Sequence, residues 1–153
     1  MSSNKATAAC FCGACKYEFP KSGVMSVFIC SCKDCRKVSA SMFATNFILK
    51  TEDMHWLSGE DNLTRWGQSA TIDAKNTMTN VFCKTCGTIL SRESSGYPGM
   101  SFPRVGPVED LSLHDSILKP QVEQYTKSRA AWFHGVDYLD EAHKAEGMFN
   151  FGG

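Results

Sequence analysis

The sequence has no excess charge of either sign: 16 Lys+Arg stand against 16 Asp+Glu, a formal net charge of zero. That balance excludes tight sequence-independent binding to nucleic acid, which draws on a clear cationic surplus. No apolar run approaches the roughly 18 residues of a membrane-spanning helix. The best stretch, Met42 to Leu49, is interrupted by Thr45 and Asn46, so no membrane partner is expected. Met1-Ser2-Ser3-Asn4-Lys5 leads into no apolar segment of the secretory type, and a cytoplasmic, reducing setting is expected. A nucleophile elbow, a P-loop, a dinucleotide fingerprint and low-complexity tracts are all missing. With 153 residues, 42% of them hydrophobic, the chain suits one ordinary domain with one core. What it has in plenty is cysteine.

The eight cysteines fall into three groups: Cys10-Phe11-Cys12-Gly13-Ala14-Cys15, Cys30-Ser31-Cys32-Lys33-Asp34-Cys35, and Cys83-Lys84-Thr85-Cys86-Gly87. In a reducing compartment a disulfide scaffold is the weaker explanation, and near neighbours in the chain are poorly placed to bridge. The same spacing suits a metal, because two sulfurs on a tetrahedral zinc lie only about 3.8 Å apart, given Zn–S of about 2.3 Å. Zinc is expected ahead of an iron–sulfur cluster.

Phe82-Cys83-Lys84-Thr85-Cys86-Gly87 reads as a zinc knuckle, with Gly87 supplying a positive-φ exit. Its two thiolates need two more ligands. On an extended chain Cys10 and Cys12 leave from one face, whereas Cys15 has the opposite parity, in step with Tyr17 and Phe19. Parity therefore groups Cys10 and Cys12 with Cys83 and Cys86, and leaves Cys15 as a small buried apolar residue, unless a bulge at Gly13 resets the count. Cys30, Cys32 and Cys35 remain as a group of three with no local fourth donor. Three protein ligands and an open position is the catalytic zinc pattern; four thiolates make a structural one. The alternative is that Cys15 or a histidine fills the gap and both sites are structural.

Elsewhere the signals are mostly short strands, over Lys16–Pro20, Val24–Cys30, Phe43–Lys50, Asn62–Gly67, Thr79–Cys83, Thr88–Glu93, Met100–Arg104 and Val122–Thr126. Thr71 to Thr77 reads as a hairpin turn. Helical turns are expected over Lys33–Ser39 and Glu52–Leu57, with a short amphipathic stretch around Asp140–Glu146. The fold class is mainly β. Lys33, Arg36 and Lys37 flank the middle cysteines, where positive charge favours thiolates, although a solvated helix face explains the two lysines equally well. His55, His114, His134 and His143 stand alone, and His134, in an aromatic segment, is the one worth testing as a ligand.

The order Cys10-x-Cys12-Gly13, then Cys30-x-Cys32-x-x-Cys35-Arg36-Lys37, then Phe82-Cys83-x-x-Cys86-Gly87 resembles the glutathione-dependent formaldehyde-activating enzyme family, which includes centromere protein V. Lys119-Pro120, Tyr125-Thr126, Ser128-Arg129 and Trp132 are similar to that family's closing segment. The sequence departs from the family at Ser31, where many relatives carry His, and at Cys15, where an apolar residue is usual. The resemblance implies a zinc-containing β-tent of coiled antiparallel sheets with short helical turns. It implies one such domain over residues 1–153, with a core of about 8–135 and a C-terminal extension, 136–153. It further implies two zinc ions: a structural one on Cys10, Cys12, Cys83 and Cys86, and a catalytic one on Cys30, Cys32 and Cys35. The implied activity is that of a carbon–sulfur lyase joining glutathione, or a related thiol, to formaldehyde. A non-catalytic, zinc-stabilised protein-binding module is the alternative, since the same fold serves a Rab-binding zinc protein. Arg36, Ser39, Arg104 and Trp132 are candidates for substrate contact, short of site assignments.

Overall fold

The computed structural model describes residues 3–152. Strand β1 (Lys5–Ala9) runs antiparallel to β2 (Lys16–Pro20), and in both every second residue turns inward: Ala6 and Ala8, then Tyr17 and Phe19. No strand was expected over Lys5–Ala9, because lysine and alanine are depleted in strands. The alanines are there for size. Ala6 pairs with Phe19 and Ala8 with Tyr17, so each small residue stands opposite a large ring.

The other edge of β2 is taken by β5 (His55–Ser58), which completes a three-stranded sheet. This corrects the helical turn expected over Glu52–Leu57: only Thr51–Asp53 turns, as one 3-10 turn, before the chain extends. Trp56 is held by an edge-on contact with Tyr17, ring centroids 5.3 Å apart, a tertiary contact that local sequence does not announce.

The larger sheet is built from β3 (Ser26–Cys30), β4 (Ala44–Lys50), β6 (Leu63–Gln68), β7 (Met78–Cys83), β8 (Ile89–Ser94), β9 (Met100–Pro103) and β10 (Val122–Gln124). Its order is β10-β3-β4-β9-β8-β7-β6. These strands fall where the sequence placed them, to within a few residues. The pairing of β10 with β3 is parallel and the other strand pairings are antiparallel. The polar stretch between β6 and β7 is the expected hairpin loop, and Thr71 in it donates to Asp34 at 2.5 Å. Helix α1 (Lys33–Ser39) matches its expected span. No helix among the described residues is long and apolar enough to cross a membrane.

Alternation along β3 and β4 gives the larger sheet two apolar faces. Val27, Phe47 and Leu49 join Tyr17, Phe19, Leu90 and Leu118 in a core shared with the smaller sheet. Phe28, Cys30, Ala44 and Ile48 turn the other way, into a second cluster with Cys35 and Val122. That face is covered in part by the C-terminal segment, where Phe149 packs on the cluster and its N–H donates to Gln124 Oε1 at 3.1 Å. The amphipathic stretch expected around Asp140–Glu146 is only a 3-10 turn, Glu141–His143. Each face of the sheet carries one group of cysteines.

Candidate metal centres

Cys10, Cys12, Cys83 and Cys86 place their four Sγ atoms within 4.8 Å of one another. Cys10–Cys12 and Cys12–Cys83 are 3.6 and 3.7 Å apart, close to the ~3.8 Å edge of a zinc–thiolate tetrahedron. The convergence comes from two tight turns facing one another. After β1 the chain folds back on itself: Cys10 N–H donates to Cys15 O and Gly13 N–H to Cys10 O, both at 3.0 Å, with Gly13 at φ +80°. After β7, Gly87 N–H donates to Cys83 O at 2.9 Å with φ +77°, the positive-φ exit expected of a knuckle. Cys10 and Cys12 therefore meet through a closed turn. The extended-strand parity grouped thiols that do converge, but on the wrong geometry.

Cys15 stands outside this group. It is fully buried in the main core, and its thiol donates to Gly59 O at 3.3 Å. Burial pushes that thiol up to about 12, so it stays protonated at neutral pH. Gly59 leaves no room for a side chain, because at φ +71° a Cβ would sit 2.1 Å from Ala14 O. The knuckle is braced by Asn62, whose amide donates to Thr85 Oγ1 at 3.0 Å and to Cys83 Sγ at 3.5 Å. Cys86 is drawn down to about 5 by the Thr88 hydroxyl and by backbone N–H groups, which leaves it a thiolate ready for a cation.

Cys30, Cys32 and Cys35 also lie within 4.8 Å of one another. Cys30 ends β3, Cys32 is the N-cap of α1, and Cys35 belongs to its first turn. The Cys35 N–H donates to Cys32 Sγ at 3.3 Å, so one sulfur both faces the group and caps the helix. Three crowded thiols share their protons unevenly. Hydrogen bonds from Cys30 and Cys32 hold Cys35 well below its ordinary value against the effect of burial, with Arg104 and Arg92 assisting. Cys30, the donor, is pushed up.

No His, Asp or Glu ligand atom among the described residues joins either group. His114 Nε2 lies 2.9 Å from Val108 O and His143 Nδ1 lies 2.5 Å from Asp140; His55 and His134 are exposed. Of the basic residues beside the middle cysteines, Lys33 and Lys37 are exposed. Arg36 points away, donating to Ser128 O at 3.0 Å and to Met42 Sδ at 3.3 Å. Trp132 is 70% exposed, beside Phe133, which stacks on Phe43. The cationic groups that act on the thiols are Arg92, with Nη1 3.8 Å from Cys35 Sγ, and Arg104, which donates to buried Asn46 and whose charge favours the Cys35 thiolate. Sequence reasoning named Arg104 and missed Arg92. The available signal was a lone basic residue inside an expected strand, Thr88–Glu93.

A family model described as glutathione-dependent formaldehyde-activating enzyme matches residues 5–128. A crystal structure of a Rhodobacter sphaeroides protein is similar in fold, with a TM-score of 0.55 and 23% identity over 71% of this chain and 93% of that one. No curated protein matches the chain.

Proposed function

The chain belongs to the glutathione-dependent formaldehyde-activating enzyme family, and from that premise we propose that it is a zinc-dependent carbon–sulfur lyase. Its reaction joins a glutathione-type thiol to formaldehyde as S-hydroxymethylglutathione, or cleaves that adduct. The donor sets fit zinc: one group offers four sulfurs, two of whose separations match the edge of a zinc–thiolate tetrahedron, and the other offers three. Cys10, Cys12, Cys83 and Cys86 would hold a structural ion, and Cys30, Cys32 and Cys35 a catalytic one. The observation that carries the reading is the missing fourth donor, since no His, Asp, Glu or further Cys ligand atom among the described residues joins the three-cysteine group.

A zinc ion there supplies a Lewis-acidic position that lowers the pKa of a bound thiol or polarises a carbonyl oxygen. The protein contributes a fixed scaffold. Cys30 is set by the β3–β4 ladder, Cys32 and Cys35 by the first turn of α1, so the three sulfurs converge without a flexible loop. Cys32, the partly exposed member, leaves that side of the group open to solvent. In the chemical step the thiolate sulfur attacks the aldehyde carbon and forms the C–S bond. The carbonyl π pair moves to oxygen, which takes a proton from solvent.

Mixing zinc-replete protein with glutathione and formaldehyde tests this directly. Adduct formation and breakdown, followed by NMR exchange, should run faster than in protein-free buffer. If neither glutathione nor another small thiol reacts faster in the presence of protein carrying two zinc ions, the proposal is wrong.

A further inference from the structure

Arg92 and Arg104 are each only 7% exposed, and among the described residues neither is ion-paired with a carboxylate. Arg92 Nε and Arg104 Nη2 are buried without any hydrogen-bond partner. A buried charge in this condition is costly unless an opposite charge completes it. The negative groups beside these guanidiniums are sulfurs. Arg92 reaches Cys35, and Arg104 stands in the field of Cys35, Cys30 and the like charge of Arg92.

Charge on the filled centre does not close without another anion. Three thiolates and a dication leave one net negative charge, and two guanidiniums leave one positive charge uncompensated. A fourth ligand that is itself an anion brings the buried assembly to neutrality; a neutral ligand leaves it cationic. We propose that Arg92 and Arg104 make the three-cysteine centre anion-selective, so that its open position accepts a thiolate or another small anion and discriminates against a neutral ligand of similar size.

This rests on the open-position reading above and specifies the charge of the ligand that fills that position. A thiol entering the centre binds through sulfur and gives up its proton to solvent, with no change of oxidation state. The arginines are positioning residues here. If they served only to stabilise the cysteine thiolates, they would alter metal affinity and leave ligand preference untouched.

The test uses full-length protein with zinc in the four-cysteine centre and cobalt(II) in the three-cysteine centre, whose visible spectrum reports ligand entry. Azide is the anionic probe and imidazole, at a mildly alkaline pH where it is uncharged, the neutral one. Arg92→Gln and Arg104→Gln should each weaken azide by about 30-fold or more, the loss expected when one partner of a buried charge pair is truncated. Imidazole binding should be unchanged in both, and Arg92→Lys should restore most of the azide affinity. Equal weakening of both probes, or none, overturns the inference and leaves the open position standing. Cobalt that does not enter the centre, or enters and binds neither probe, overturns both. Should the glutamine variants fail to fold, the wild type decides: a preference for azide over imidazole supports the inference, and its absence defeats it.

Discussion

Replacing Cys83 by serine will unfold the domain. Cys83 is fully buried, lies in the main core beside Cys10 and Cys15, and ends the strand that pairs with both β6 and β8. The four-cysteine group ties the turn after β1 to the turn after β7, a closure over about half of the chain between two sheets. A structural zinc couples an apparent ~10–16 kcal/mol to folding at neutral pH, and a whole domain is stable by only ~5–15 kcal/mol. One ligand lost from such a site therefore removes an amount comparable to the entire stability. Near- and far-ultraviolet circular dichroism should show a collapsed signal for Cys83→Ser, and the same collapse when a chelator strips both ions from the wild type. A native spectrum after complete zinc removal would contradict the structural role.

Cys32→Ser should behave in the opposite way, leaving the fold intact while activity falls by about 100-fold or more, the scale set by losing one preorganised electrostatic contact at a reacting centre. The reason lies in the double position of this residue. Cys32 Sγ caps α1 by accepting from the Cys35 N–H, and serine is among the best N-cap residues, so the helix keeps its start. The group lies on the outer face of the larger sheet, away from the main core, so its metal does not hold the two sheets together. Turnover of glutathione plus formaldehyde, measured beside a thermal unfolding curve, separates the two effects. Full turnover in a folded Cys32→Ser protein would defeat the catalytic assignment.

How far the sequence reached depends on whether a feature is local. Helix α1 and β2 are legible to the residue, because a capping position followed by a short polar turn and a Tyr/Phe alternation are both complete within a few positions. Thiol spacing likewise announced two convergent groups. Elements made by partners were not legible: β1 is a strand because small residues face Tyr17 and Phe19, and β5 because it adds to the edge of β2. The turn that brings Cys10 to Cys12 closes through its own backbone hydrogen bonds, which the extended-chain parity did not anticipate. Arg92 joins the middle cysteines from residues 57 positions apart, and the C-terminal segment returns to β10 to cover the same face. Proximity of that kind leaves no local trace.

The most direct measurement is the zinc content per chain, taken with circular dichroism before and after a limited treatment with chelator. Two zinc ions are predicted, one of them lost readily while the spectrum stays native, and that same ion missing from Cys32→Ser. A single tightly held zinc, or two that leave only as the protein unfolds, would contradict the account of one caged and one open centre.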